Sequence, residues 1–452
     1  MYTWDNNKLP ILQLGGDFYD EVEAANFPQE ILRYWNSSLE INFEKSHFVK
    51  FTGLENNLAK PLALRYHGHQ FQHYNPELGD GRGFLFAQLK INNQWYDLGT
   101  KGSGQTPYSR SGDGRLTLKG AMREALATEL LESLGVNTSK TLCFFETGEK
   151  LSRNDEPSPT RSAVLTRFTT GHIRIGTFQR LAYLKQTENI KKLTSYCLNF
   201  YYHEKSRGPI DETSAAKFLQ LVVNRNALLV AQVMMAGFVH GVLNTDNINI
   251  AGELFDYGPY RFIPGYDPDF TAAYFDHQGL YSFGRQPVSF LWALHQLAES
   301  LKLAFPSLII EPILETFSDT FNSAVHRHFF RRLNLKIKTV EKNSELISEF
   351  FGYMESQKLG FEEMFFDFHS KRVLEQPELA LKYAEAAGLL QELAEFEIEN
   401  PDLEFHEYFM QKKPTTLLID EIESIWASIS ENDDWGPFAA KLQSLRQLRG
   451  IY

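Results

Sequence analysis

Lys101, Glu124, Asp246, Asn247 and Asp256 have types and surroundings suited to phosphate chemistry. Lys101 opens Lys101-Gly102-Ser103-Gly104 and follows a glycine-rich string, Gly79-Asp80-Gly81-Arg82-Gly83; a second turn, Gly112-Asp113-Gly114-Arg115, precedes the segment that carries Glu124. Backbone N–H groups in such turns approach phosphate oxygens closely, a lysine adds a point charge, and a glutamate partner holds that lysine in place. Asn247 and Asp256 offer the hard oxygens that Mg²⁺ accepts alongside nucleotide phosphates. Arg167 and Arg174 form a further candidate phosphate clamp, although two arginines on a strand and loop, taken alone, read as surface residues. Each string is weak by itself: Gly79–Gly83 alone is a turn, and so is Asp256-Tyr257-Gly258. Their company and order carry the signal. His67, His69 and His73 lack the H-E-x-x-H spacing of a zinc site and read as hydrogen-bonded structural residues. Cys143, between apolar neighbours, reads as a buried small hydrophobe rather than a nucleophile.

Positioning these residues requires a frame. Phe84–Leu89 and Trp95–Leu98 around Asn92-Asn93 predict a hairpin that runs into Lys101. After Gly114 a helix is expected to run to a glycine cap at Gly135, with Leu118, Met122, Leu126, Leu130 and Leu134 burying one face. Glu124 lies on the opposite face among small residues, as either a solvated glutamate or a buried one in need of a cation. Val164 to Arg174 is strand-like. A long helix from about Ser214 to Phe238 leads into His240-Gly241-Val242-Leu243-Asn244-Thr245-Asp246-Asn247, a short β-prone Ile248-Asn249-Ile250, and Phe255-Asp256-Tyr257-Gly258-Pro259. From about Val288 the pattern is mostly helical. Glycine-rich turn, hairpin, strand-borne lysine, helix-borne glutamate, Asp-Asn loop and Asp-aromatic-Gly is the order of parts in a protein kinase. The kinase loop spacing H-x-D-x-x-x-x-N, set on His240 and Asn247, puts Val242 where the base Asp belongs. The nearby carboxylate is Asp246.

The chain has 452 residues, 43% hydrophobic and 23% charged, which excludes disorder and indicates one large multi-lobed fold or a few domains. Of a net charge of −12, residues 391–435 supply most, with thirteen acidic and two basic residues. The rest is close to neutral and offers no positive field for nucleic acid or membrane binding. The acidic stretch reads as a solvated face or, alternatively, as a docking surface. Two cysteines, Cys143 and Cys197, argue against a disulfide scaffold and for a reducing compartment, here the cytoplasm. The segment MYTWDNNKLP shows no leader pattern.

Tyr66-His67-Gly68-His69-Gln70-Phe71, Leu78–Gly83, Lys101–Arg110, Gly112–Arg115, His240–Asn247 and Phe255–Pro259 together resemble the selenoprotein O family, called YdiU in bacteria, over roughly residues 60–290. The resemblance implies an α+β, protein-kinase-like two-lobed fold with a large, mostly helical C-terminal part. The corresponding divisions are an N-terminal extension (1–75), an N-lobe-like nucleotide-binding part (76–180), a C-lobe-like catalytic part (181–340) and a helical, acidic C-terminal part (341–452). It implies ATP bound in a flipped orientation and AMP transferred to Ser, Thr or Tyr hydroxyls of partner proteins by a monomeric enzyme; some members are reported to use UTP with Mn²⁺. Carried over by motif, Gly79, Gly81 and Arg82 contact nucleotide, Lys101 binds phosphate and pairs with Glu124, and Asp113 and Gly114 line the site. Arg167 and Arg174 hold phosphates, Asp246 accepts the hydroxyl proton, and Asn247 and Asp256 coordinate Mg²⁺, with Asp256 also at the nucleotide. No cysteine follows Cys197, so a C-terminal thiol switch is not expected. The alternatives are a kinase that transfers the γ-phosphate, and a non-catalytic nucleotide-binding pseudokinase.

Overall fold

The computed structural model describes residues 9–41, 44–154, 156–204 and 209–452. Residues 1–8, most of the segment inspected for a leader, lie outside that description. The first part of the chain forms β1 (Tyr19–Glu21), β2 (Ile31–Trp35), β3 (Leu62–Leu64), the small hairpin β4 (Gly68–Gln70) and β5 (His73–Asn75), β6 (Gly83–Ile91), β7 (Gln94–Lys101), β8 (Leu116–Thr117), α1 (Leu118–Ser133), β9 (Lys140–Leu151) and β10 (Thr160–Thr169). Eight of these strands make one antiparallel sheet in the order β1-β3-β6-β7-β10-β9-β2, with β8 against β10.

The β6–β7 hairpin turns at Asn92 and Asn93, whose φ values of 48° and 65° suit a two-residue loop that needs both positions left-handed. Its register sets Lys101 opposite Gly83 on one side and Leu165 on the other. Helix α1 starts where the Thr117 hydroxyl accepts the Gly120 N–H, an N-cap. Its Leu118, Met122 and Leu126 are fully buried, and the helix packs across β9 and β10.

The remainder is helical: α2 (Ile175–Tyr183), α3 (Thr187–Tyr201), α4 (Glu212–Met235), α5 (Gln286–Lys302), α6 (Glu311–Leu333), α7 (Val340–Ser356), α8 (Phe361–Phe368), α9 (Arg372–Glu375), α10 (Pro377–Lys382), α11 (Ala387–Ala394), α12 (Ile419–Asn432) and α13 (Gly436–Arg446), with a two-stranded ribbon of β11 (Phe238–Val239) and β12 (Arg261–Phe262) after α4. The class is α+β, as expected. Helix α4 is long and apolar enough to cross a membrane, but 67% of its apolar window is buried inside the protein, where α5 and α6 pack against it. One apolar core runs from Leu9 through α1, α4 and α5 to Ile451, and a second, rich in phenylalanine, lies among α6, α7 and α8.

One expectation needs correction. Ile248–Ile250 is not a strand: Asn249 makes a single antiparallel bridge to Arg174, and the Asn249 side chain then accepts the Ala251 N–H at 2.8 Å, turning the chain before a ladder can extend. The acidic C-terminal stretch is largely a solvated face, as read, with Glu397, Asp420, Glu431 and Asp433 among its exposed carboxylates, several of them in ion pairs. Glu421 pairs with Lys441 (2.6 Å), Glu397 with Lys336 (2.8 Å), and Asp433 with Arg161 (2.7 Å) and Arg33 (3.1 Å). Helix α13 closes on the back of α1, where Arg446 reaches the buried Glu129 at 3.1 Å.

Candidate active site

Lys101 ends β7, Glu124 stands one turn and a half into α1, and Arg167 lies near the end of β10, so three neighbouring elements converge on one point. Lys101 Nζ lies 2.9 Å from Glu124 Oε2, and Arg167 Nε donates to Glu124 Oε1 at 2.6 Å. Of the two readings open for Glu124, the buried one holds: it is 1% exposed. Burial pushes its carboxyl up, but Arg167 and Lys101 outweigh that and hold it below its ordinary value. Arg167 and Arg174 are buried as well, against the surface reading of the pair.

Asp256 meets the same cations from the far side. Its Oδ1 lies 3.0 Å from Lys101 Nζ and accepts from Arg167 Nη2 at 2.8 Å, while Arg174 Nη1 lies 3.4 Å from Oδ2. Burial raises this carboxyl, and the joint field of Lys101, Arg167 and Arg174 overrides it and holds Asp256 well below the usual range. The residue is left-handed at φ 64°, and His240, buried beneath the loop, hydrogen-bonds through Nε2 to the Phe255 carbonyl at 3.1 Å, which fixes the approach to Asp256.

Asp246 is in the opposite condition. It sits in a 3-10 turn, Thr245–Asn247, held by neighbours: the Thr245 hydroxyl donates to Gln179 (2.5 Å) and accepts the His69 N–H (2.7 Å), and Arg174 Nη1 donates to the Asp246 carbonyl (2.9 Å). One oxygen of its side chain has no such support. Oδ1 is buried without a hydrogen-bond partner among the described residues, and burial, only partly offset by Arg174, pushes the carboxyl up to about 6. Asn247 Nδ2 donates to the Val242 carbonyl at 3.0 Å, so the residue at the kinase-base position serves through its backbone.

These groups surround a cavity of about 710 Å³. Gly79, Gly81, Arg82, Lys101, Asp113 and Gly114 line it, as do Arg167, Arg174, Asp246 and Asp256. Glu124 and Asn247 do not; Glu124 reaches the cavity only through the cations it holds. Gly114 is needed as glycine: its φ is +69°, and a Cβ there would lie 2.1 Å from the Gly104 carbonyl oxygen. Seven lysine or arginine side chains and four aspartates form the lining, a cationic excess in an acidic protein.

Several lining residues went unread in the sequence. Asp80 pairs with Arg174 (3.2 Å) and accepts the Leu64 N–H (3.0 Å), while Tyr66 stacks under the Arg174 guanidinium at 4.3 Å. Asp80 lies inside the Gly79–Gly83 string, and a carboxylate between glycines was the available signal. Arg153, which carried no signal, pairs with Asp113 at 2.8 Å. Two of the three histidines are hydrogen-bonded structural residues, as read: His67 bonds Tyr74 OH (2.8 Å) and His69 bonds Gln179 (2.7 Å), whereas His73 is exposed. Cys143 is fully buried, its thiol pushed up to about 12. Among the described residues no cluster of three or more His, Cys, Asp or Glu is arranged to hold a metal.

Comparison with known proteins bears on the chain as a whole. A family model described as "Protein adenylyltransferase SelO" matches residues 6–446. Proteins named "Protein nucleotidyltransferase YdiU" from Trichodesmium erythraeum and from a Synechocystis species are each 42% identical, the first over 97% of this chain and 98% of its own length, the second over 96% of both. The protein of that name from Gloeobacter violaceus is 41% identical over 96% of this chain and 93% of its own. These matches define an enzyme class, the protein nucleotidyltransferases. Within that class, the chain belongs to the SelO/YdiU family.

Proposed function

We propose that the enzyme transfers AMP from ATP to the hydroxyl of a Ser, Thr or Tyr on a partner protein and releases pyrophosphate. The observation that carries this reading is Asp246: a carboxylate with an unpartnered buried oxygen and a proton affinity raised to about 6, in the wall of a cavity whose charge is otherwise mostly cationic. Such a group is suited to accept a proton near neutral pH. The hydroxyl oxygen bonds to the α-phosphorus, its proton passes to Asp246, and the bond from that phosphorus to the bridging oxygen of the β-phosphate breaks. Lys101, Arg167 and Arg174 offset the charge that collects on the departing pyrophosphate. Glu124 keeps Lys101 and Arg167 extended toward the cavity. Gly79, Gly81, Arg82, Asp113 and Gly114 take the rest of the nucleotide, and a flipped ATP accounts for Val242, since the α-phosphate then faces Asp246.

The donor chemistry fits Mg²⁺: the Asp256 carboxylate lines the cavity, and Asn247, with Nδ2 committed to Val242, keeps Oδ1 as an acceptor. The ion would be held by those two residues and would supply charge neutralisation on the phosphates. We read the sheet with α1 as the N-lobe and the helices from α2 to α6 as the C-lobe of a kinase-like fold, followed by a C-terminal helical part. The two buried free cysteines support a reducing, cytoplasmic setting.

Incubation with ATP and Mg²⁺, read by intact mass, tests the proposal. The expected result is an increment of one AMP per site on the enzyme or an added protein, absent in Asp246→Ala. A phosphate increment would overturn it in favour of a kinase, and a parallel reaction with UTP and Mn²⁺ reads out the nucleotide preference.

A further inference from the structure

One side chain in the cavity wall has no part in the roles above. His172, on the loop between β10 and α2, lines the cavity and is 7% exposed. Its ring is not placed by chance. Asp97 Oδ2 accepts both the His172 backbone N–H and Nδ1 at 3.1 Å each, and the other oxygen of Asp97 accepts from Gln88 Nε2 at 2.7 Å. Asp97 is itself 3% exposed, so a buried carboxylate clamps the ring by one nitrogen. Nδ1 is thereby committed as a donor, and Nε2 is the polar atom that remains.

The strand beneath makes room for it. Asp97, Gly99 and Lys101 alternate along one face of β7, and Gly99 stands opposite Arg167 in the sheet register. A Cβ at Gly99 would lie 2.3 Å from His172 Nε2, so the ring occupies the place a side chain would take, between Asp97 and Lys101 in the same row. Nε2 therefore lies over the strand that ends in Lys101 and beside the one that carries Arg167.

We propose that His172, clamped by Asp97, is a further phosphate-contacting residue, whose Nε2–H donates to the polyphosphate arm of the nucleotide beside Lys101 and Arg167. This inference rests on the nucleotide reading of the cavity.

The two nitrogens can be tested apart. Asparagine places an amide where Nδ1 is and can keep the bond to Asp97, whereas glutamine reaches further and places its amide near Nε2. Kd values for ATP and for adenosine are measured by calorimetry on the full-length wild type, His172→Asn and His172→Gln, with melting temperatures recorded alongside. The expected result is ATP binding weakened by about tenfold or more in His172→Asn, with adenosine binding and melting temperature held, and partial recovery in His172→Gln. An ATP Kd in His172→Asn within twofold of wild type, or an equal loss for ATP and adenosine, overturns the role of His172 and leaves the nucleotide reading intact. A wild type that binds ATP no better than adenosine overturns the polyphosphate site itself.

Discussion

The wall built by β7, α1 and β10 and the loop Asn244–Asn247 each bury a carboxylate beside the same cavity, and they treat it in opposite ways. Glu124 and Asp256 are saturated: each meets two or three cations at 2.6–3.4 Å and is held below its ordinary proton affinity. Asp246 is starved: its backbone is bonded, one oxygen is orphaned, and its affinity rises to about 6. Environments that drive two acidic groups apart in this way divide their labour, one as fixed charge and one as proton carrier. The wall spends ion pairs on holding cations in place; the loop leaves a group unsatisfied, which costs stability and confers reactivity.

Removing the starved group should have the largest functional effect. Asp246→Asn should lower the transfer rate by about 10²–10⁴-fold while ATP binding persists, measured by product formation and calorimetry. The same variant should melt higher at pH 7, by up to about 3 kcal/mol, because the amide needs no charge in the buried site. Removing the saturated group should do the reverse: Glu124→Ala leaves Lys101 and Arg167 crowded on Asp256 as their one remaining carboxylate partner among the described residues and should cost about 3–5 kcal/mol of stability by denaturant melt.

The pH dependence separates the regions again. Glu124 and Asp256, held low in the fold, stabilise it above the ordinary carboxyl range, and that contribution is lost as pH falls below it. Asp246, held high, favours the fold when protonated, a contribution lost as pH rises through about 6. The transfer rate should rise with pH through about 6 and level off above, a profile read from initial rates. The smallest effect belongs far from both: Lys119→Ala, which breaks a pair with the exposed Glu423, should change stability by less than about 1 kcal/mol and activity not at all.

How much of this was legible in the sequence follows from contact range. The β6–β7 hairpin and α1 were readable because local chemistry makes them: an Asn-Asn turn, and an apolar face that ends at a glycine. The pairing of Lys101 with Glu124 came through motif order. Asp80 and Tyr66 stayed hidden because their partner, Arg174, lies about a hundred residues away and only the fold brings them together. The edge strand β2, which pairs with β9 across more than a hundred residues, was hidden for the same reason. Ile248–Ile250 misled because β-branched residues favour extension, and the Asn249 side-chain turn outcompeted it.

The most direct test of the account is transfer of label to protein from ATP carrying ³²P at the α or at the γ position, by wild type and by an Asp246→Asn variant shown to be folded. Label from the α position alone, absent in the variant, is the predicted result. Label from the γ position, or α-label undiminished in the variant, would contradict the assignment of Asp246 as the proton acceptor of a nucleotidyl transfer.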